Sequence, residues 1–332
     1  MIWKVLGFPR FKLMSLPTPI EEARVLGGEL GINLFIKRDD VMELALGGNK
    51  VRKLEFLVGD ALAKGCDTLI TRGAFHSNHA RLTAAAARKA GLDAYLILAP
   101  PGTPELQGNV LLNALLGAKV VLAKDREEAI KTMNELAEKL RKEGKRPYVI
   151  PGGGASPVGV LGYAAASLEI LQQLSERGVK PDYIVLATGS GGTQAGLVLG
   201  LKLLGAEDVK VVGISISPST KEAQERIAGL ANSCAELLGV GTRVEPEEVI
   251  VIDKYLGGGY GVINKDVVEV MKYVARKEAL ILDPVYTAKA MQGLIDLAQK
   301  GYFGRGSNVV FIHTGGTPII FQVNELREYL KG

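Results

Sequence analysis

The chain has little of what staples, wires or anchors a protein. Among 332 residues there are two cysteines, Cys66 and Cys234, in unrelated contexts. That excludes a disulfide framework and fits a reducing cytoplasm. The three histidines, His76, His79 and His313, form no His/Cys cluster of zinc-like spacing, so no metal is expected. Aromatic residues make up 6%, too few to suggest a platform for stacking bases. The 40 basic and 36 acidic residues leave a net charge of +4 with no long basic run, so nucleic acid is not an expected partner. Long apolar runs are missing too. The longest uncharged stretch, residues 183–201, is broken at its centre by Gly189-Ser190-Gly191-Gly192-Thr193-Gln194, a loop that lipid would not tolerate. Residues 1–12 carry Lys4, Arg10 and Lys12 and no apolar core. They do not read as a secretory leader. The expectation is a cytoplasmic protein without a membrane partner.

Glycine, by contrast, is abundant. There are 41, well above the usual share of about 7%. They show no collagen-like period, so they imply loops whose backbone comes close to something. The length suits two lobes at about 150 residues per domain. Short β-branched runs at 34–37, 68–71, 94–98, 119–122, 148–150, 184–187, 210–216, 249–252 and 309–313 read as strands. Amphipathic stretches at 50–64, 78–90, 127–143, 158–174, 193–204, 221–238, 265–277 and 286–298 read as helices. Strand and helix in alternation predict parallel sheets covered on both faces, and nine strands fit two α/β lobes better than one sheet.

Ligands of parallel α/β sheets sit just past the carboxyl ends of strands. Glycine-containing polar loops follow several of these strands, and every histidine lies in or beside one. Gly189-Ser190-Gly191-Gly192-Thr193 before a helix reads as a phosphate cradle, or else a bare strand–helix turn. It is neither a dinucleotide fingerprint nor a Walker A loop, because Gln194 takes the place of the third glycine and no Gly-Lys-Ser/Thr follows. Gly47-Gly48-Asn49-Lys50 opens a helix with Arg52 and Lys53 in its first turn. Cations there oppose the helix dipole. A lysine crowded by cations and apolar groups can lose its proton and become a nucleophilic amine. The alternative is a solvated basic helix start. Ser77 reads as a helix cap, which leaves Asn78 and His79 unexplained in an alanine-rich helix. His313 alone reads as a satisfied buried histidine.

Taken together, Thr18-Pro19-Ile20, Lys37-Arg38-Asp39-Asp40, Gly47-Gly48-Asn49-Lys50 running on to Glu55, His76-Ser77-Asn78-His79, Gly189 to Gly196, Asp283-Pro284-Val285-Tyr286 and His313-Thr314-Gly315-Gly316 resemble the 1-aminocyclopropane-1-carboxylate deaminase / D-cysteine desulfhydrase family of pyridoxal-phosphate enzymes. The resemblance runs through nearly the whole chain. It implies a two-lobed α/β fold of the tryptophan-synthase-β type, with residues 52–154 as a small lobe and 1–51 plus 155–332 as a large cofactor-binding one. It also implies a homodimer acting on a small amino acid. The lysine matching Lys50 would bond covalently to pyridoxal 5′-phosphate and later act as base. Gly189, Ser190, Gly191, Gly192 and Thr193 would hold the phosphate, helped by Lys53. Asn78 would bond the cofactor's phenolic oxygen. Ser77, with Asn78, His79 and Gly154, would form the substrate site. Tyr286 would cover the cofactor ring and Tyr260 would approach the substrate.

Within that family, the deaminases that open the cyclopropane ring carry Glu after the tyrosine of Asp-Pro-Val-Tyr and Leu after the final histidine, and Gln where His79 stands. Here those first two positions are Thr287 and Thr314. A carboxylate beside the pyridine nitrogen strengthens the electron sink, which ring opening needs and thiol expulsion does not. The resemblance therefore favours D-cysteine desulfhydration to pyruvate, hydrogen sulfide and ammonia, with ring opening and L-cysteate sulfo-lysis as alternatives. Arg72 or Arg81 could supply the cation that a sulfonate requires. A non-catalytic small-molecule binder on the same fold is the alternative from another class.

Overall fold

The computed structural model describes residues 1–217 and 219–330. Among these, ten strands are β1 (Ile20–Glu22), β2 (Asn33–Lys37), β3 (Thr68–Ala74), β4 (Asp93–Ala99), β5 (Lys119–Leu122), β6 (Pro147–Ile150), β7 (Tyr183–Thr188), β8 (Lys210–Ser215), β9 (Ile250–Ile252) and β10 (Asn308–Ile312). The helices are α1 (Trp3–Leu6), α2 (Arg24–Leu30), α3 (Lys50–Ala63), α4 (Asn78–Lys89), α5 (Gly108–Leu115), α6 (Arg126–Lys142), α7 (Pro157–Ser175), α8 (Gly192–Leu204), α9 (Thr220–Leu237), α10 (Lys265–Glu278), α11 (Thr287–Gln299) and α12 (Asn324–Leu330).

Two sheets result. One has six strands in the order β1-β2-β10-β7-β8-β9, the other four in the order β5-β4-β3-β6. Every pairing is parallel except β1 with β2. Central strands such as β10 and β7 are buried along nearly their whole length, as parallel strands covered by helices on both faces must be. Their runs of Val, Ile, Leu and Phe reflect that. The ends of β3, β6, β7 and β10 all deliver loops to the same space between the sheets.

Helix α3 connects the two halves, and its first turn is held by a buried ionic network. Arg52 binds Asp39 twice, Nε to Oδ2 at 2.9 Å and Nη2 to Oδ1 at 2.8 Å. It also binds Glu169 of α7 twice, at 3.0 and 2.8 Å. Lys37 at the end of β2 donates to the same Glu169 at 2.5 Å, and to the Thr18 carbonyl at 2.8 Å. The Tyr163 hydroxyl donates to Asp39. Burial works to raise the pKa of Glu169, but Arg52 and Lys37 together hold it at about 2. Helices α3 and α7 cross at Gly162, where a Cβ would lie 2.5 Å from the Arg52 carbonyl carbon and oxygen. No larger residue fits there.

Arg52→Met removes the cation from this network while keeping much of its volume. Asp39 is then left buried without a cation, and Glu169 keeps only Lys37, which is expected to cost about 3–5 kcal/mol. A urea titration reads this as a lowered midpoint; an unchanged midpoint contradicts the account.

Candidate active site

Between the sheets lies a cleft of about 360 Å³. Its walls come from the ends of β3, β4, β7 and β10, the starts of α3, α4 and α6, and the loop bearing Tyr260. Lys50, Arg72, Arg126 and Arg226 line it, and no Asp or Glu is among the lining residues.

The glycine hinge before Lys50 is required by the backbone. At Gly47 φ is +63°, and a Cβ would lie 2.4 Å from the Asp40 carbonyl oxygen. Gly48 N–H donates to the Asp39 carbonyl at 3.0 Å and Asn49 N–H to the Thr314 carbonyl at 3.1 Å. The Asn49 side chain donates to Thr193 Oγ1 at 3.0 Å. The first turn of α3 is thereby tied to the ends of β10 and β7. Among the described residues the Lys50 amine has no hydrogen-bond partner, and burial pushes its pKa down to about 8. The solvated-start alternative does not hold, because Arg52 and Lys53 are buried. Burial, and then the neighbouring Lys50, drive Lys53 well below its ordinary value. Its amine reaches the Gly153 carbonyl at 3.3 Å and sits 3.0 Å from where a Cβ on Gly192 would stand. Lys53 and Gly192 thus lie behind the cleft surface, against the phosphate-type loop.

Gly189, Ser190, Gly191 and Thr193 line the cleft directly. Gly191 adopts φ +85° at the N-terminus of α8, and no side chain caps that helix. An uncapped, positively polarised helix start beside glycines suits a phosphate. Arg226 of α9 braces this loop through the Gly189 carbonyl at 3.2 Å.

On the facing wall Ser77 does cap α4, accepting from Ala80 N–H at 3.1 Å, and still lines the cleft. Asn78 Oδ1 accepts from Asn109 Nδ2 at 2.9 Å. That contact turns the Asn78 amide, leaving its NH₂ without a partner among the described residues and available to a ligand oxygen. His79 is a neutral wall residue. Thr71 Oγ1 donates its proton to the Ile150 carbonyl at 2.8 Å, so His79 Nε2–H must donate to Thr71 at 2.9 Å. Burial, then Lys50, Lys53 and Arg72, push its pKa well down. Gly154, at φ +63°, lies behind this wall against His79 and Lys53 and does not line the cleft.

Tyr260 and Tyr286 close one side with their hydroxyls 2.5 Å apart, and Tyr260 also packs on His76 at 5.5 Å between ring centres. Burial raises Tyr260 to about 12. The two threonines are not equivalent. Thr287 is buried and spends its hydroxyl on Asp283, accepting from the backbone N–H at 2.7 Å and donating to Oδ1 at 2.8 Å. Thr314 lines the cleft. His313 is the satisfied buried histidine expected, with Nε2 on the Ile281 carbonyl and Nδ1 accepting from Gly315 N–H. Arg81 is buried in α4, donates to the Gly47 carbonyl at 2.7 Å and does not line the cleft. Of the two candidate cations, only Arg72 reaches it.

Comparison with known proteins agrees with this geometry. The family model described as pyridoxal-phosphate dependent enzyme matches residues 12–315. A Pyrococcus abyssi protein provisionally named a 1-aminocyclopropane-1-carboxylate deaminase is 49% identical over 320 residues, covering 96% of this chain and 94% of that one. The D-cysteine desulfhydrase of Klebsiella pneumoniae is 43% identical over 320 residues, covering 95% and 96%. The crystal structure of an ACC deaminase homologue superposes with a TM-score of 0.91 at 46% identity, covering 99% and 98%. The chain belongs to the pyridoxal-phosphate dependent enzymes, in the group that holds 1-aminocyclopropane-1-carboxylate deaminase and D-cysteine desulfhydrase.

The lowered pKa of Lys50 makes a pH prediction. A primary amine attacks aldehydes only when neutral, and Lys50 reaches that form above pH about 8, against 10.5 for an ordinary lysine. In cofactor-free protein, condensation of Lys50 with an aldehyde, followed by peptide mapping, is expected to rise through pH about 8 and then level off. A rate still climbing steeply above pH about 10 contradicts the burial argument.

Proposed function

Starting from that family membership, we propose that the chain catalyses β-elimination from D-cysteine or a similar small amino acid, giving pyruvate, hydrogen sulfide and ammonia. The observation that carries this reading is the absence of any Asp or Glu from the residues lining the cleft. A ring-opening enzyme must break a carbon–carbon bond without an α-hydrogen to remove. It gains from a carboxylate that keeps the pyridine nitrogen protonated. Here Thr314 lines the cleft, and Thr287, where a deaminase would carry Glu, is turned onto Asp283. The site suits a leaving group that departs readily.

The residues fit pyridoxal 5′-phosphate on two independent features. One is the uncapped glycine cradle at Gly189–Thr193, and the other is the unpartnered amine of Lys50. Gly189, Ser190, Gly191, Gly192 and Thr193 would hold the phosphate, with the Lys53 amine behind Gly192. Lys50 would bond the cofactor, Asn78 would donate to its phenolic oxygen and Tyr286 would cover its ring. When bound, the cofactor supplies the electron sink for the pair left as the α-proton departs. Ser77 and the adjoining backbone hold the substrate carboxylate, with His79 shaping that wall. The freed Lys50 amine takes the α-proton, for which a pKa of about 8 is well matched to neutral pH. Tyr260, held at Tyr286, faces the substrate and shields it from water. The homodimer that the resemblance implies, and the cytoplasmic setting expected from the few cysteines, are part of the proposal; no helix of the described residues is long and apolar enough to cross a membrane.

A substrate panel tests the reading through release of 2-oxo acid. D-cysteine is expected to exceed 1-aminocyclopropane-1-carboxylate in kcat/KM by about 10²-fold or more, and Lys50→Ala to lose about 10³-fold. Equal turnover of the two substrates contradicts the Thr314 argument and favours the ring-opening alternative. A fully active Lys50→Ala protein contradicts the mechanism.

A further inference from the structure

The cleft carries more positive charge than its two assigned anions use. The phosphate has the Gly189–Thr193 loop on the six-stranded wall, where Arg226 and Lys53 also sit. The substrate carboxylate has the Ser77 turn. Arg72 and Arg126 remain, both on the four-stranded wall, at the end of β3 and the start of α6. Among the described residues neither guanidinium has a hydrogen bond, ion pair or aromatic partner. Asp125, just before Arg126, spends its carboxylate on the Glu128 backbone N–H, and Glu128 spends its own on the Lys124 N–H. Arg72 is half-buried, and its pKa is lowered by burial and then by Arg126. A partly desolvated cation facing a second cation, with no acid paired to either, is a costly arrangement that an anion would relieve.

Position says which anion. The Arg72 guanidinium lies over Gly152, its carbon 3.3 Å from where a Cβ would stand. The next residue, Gly153, has its corresponding position 4.0 Å from the Lys50 amine and 2.6 Å from Ser190 Oγ. The guanidinium and the reactive amine therefore flank two consecutive glycines. A substrate with its Cα near Lys50 would lie along the stretch of wall that carries Gly152 and Arg72.

We infer that Arg72, backed by Arg126, receives the leaving group as an anion and selects amino acids whose β-substituent departs in that form. This rests on the elimination reading above. In the step, the Cα–H bond breaks and its proton goes to Lys50. A Cα–Cβ double bond forms, and the Cβ–sulfur bond breaks with both electrons going to sulfur. The product is hydrosulfide from cysteine, or sulfite where the substituent is a sulfonate. Either is met by paired guanidinium N–H donors, and no proton donor is required. The class of substrate is a β-substituted alanine with an anionic leaving group.

The test uses the cofactor-loaded protein with Arg72→Gln, Arg72→Lys and Arg126→Gln. Arg72→Gln is expected to lower kcat/KM for D-cysteine and L-cysteate by about 10²-fold, the scale of losing one preorganised charge-stabilising donor. Arg72→Lys recovers at least about tenfold of that loss, and Arg126→Gln gives a smaller one. Thiosulfate, as an inert anionic probe, inhibits the wild type competitively and Arg72→Gln much more weakly. Cofactor affinity, read by absorbance titration, stays within about threefold of wild type. Arg72→Gln that keeps kcat/KM and thiosulfate inhibition within about threefold overturns the inference. Loss of cofactor affinity instead assigns Arg72 to the phosphate and also overturns it. A wild-type protein that releases no 2-oxo acid from any substrate contradicts the elimination reading itself, and the inference falls with it.

Discussion

Uncompensated positive charge in the cleft governs this site. Burying a cation without a partner costs several kcal/mol, and a protein can meet that cost by pairing the charge, by shedding the proton or by binding an anion. The first two responses occur within one turn of α3, and the third is the one inferred for Arg72. Arg52 is paired on both sides by Asp39 and Glu169. Lys50, two positions earlier and facing the cleft, has no such partner and is displaced toward its neutral form. Arg72 cannot shed its proton at neutral pH and is left needing an anion. Burial lowers the pKa of Lys50, and no acid among the cleft-lining residues offsets it.

Charge alone does not place an amine. The position of Lys50 depends on Asp39, which bears on it from both directions. The Asp39 backbone carbonyl holds Gly48 before the lysine, and its carboxylate holds Arg52 after it. Asn49 adds ties to Thr193, in the first turn of α8, and to Thr314, just past β10. The buried ionic network and the reactive site are thus opposite ends of one helical turn. The network resists deformation, so the lysine can be held without a hydrogen bond to its own amine.

Much of this was legible in the sequence, for identifiable reasons. Parallel strands buried on both faces leave continuous β-branched runs, and all nine expected strands are present, with ends shifted by at most three residues. The strand that escaped, β1, has three residues with one buried side chain, too short for a pattern. Helix α2 contains Gly27 and Gly28, which weaken any helical signal. Helix α5 was also missed, and with it Asn109, which orients Asn78 from 31 positions away in the chain. No local pattern carries that contact. The site loops were visible because glycine next to hydroxyl and cationic residues at strand ends is uncommon, but depth was not. Gly154, Gly192, Lys53 and Thr287 read as site residues yet sit behind the surface, and Thr287 and Thr314 differed only once Asp283 was seen to claim one of them. Arg126 carried no signal, being one cation at an ordinary helix start.

The central claim is that Lys50, and not the more deeply buried Lys53, is the amine that bonds the cofactor. Both are pushed down in pKa by burial, so chemistry alone does not separate them. Geometry does, since Lys53 is directed at Gly153 and Gly192 while Lys50 opens to the cleft. Borohydride reduction of the pyridoxal-phosphate-loaded protein, followed by peptide mass spectrometry, reads the answer directly. The account predicts a phosphopyridoxyl group on Lys50 alone. Labelling on Lys53, or no stable label anywhere, would contradict it.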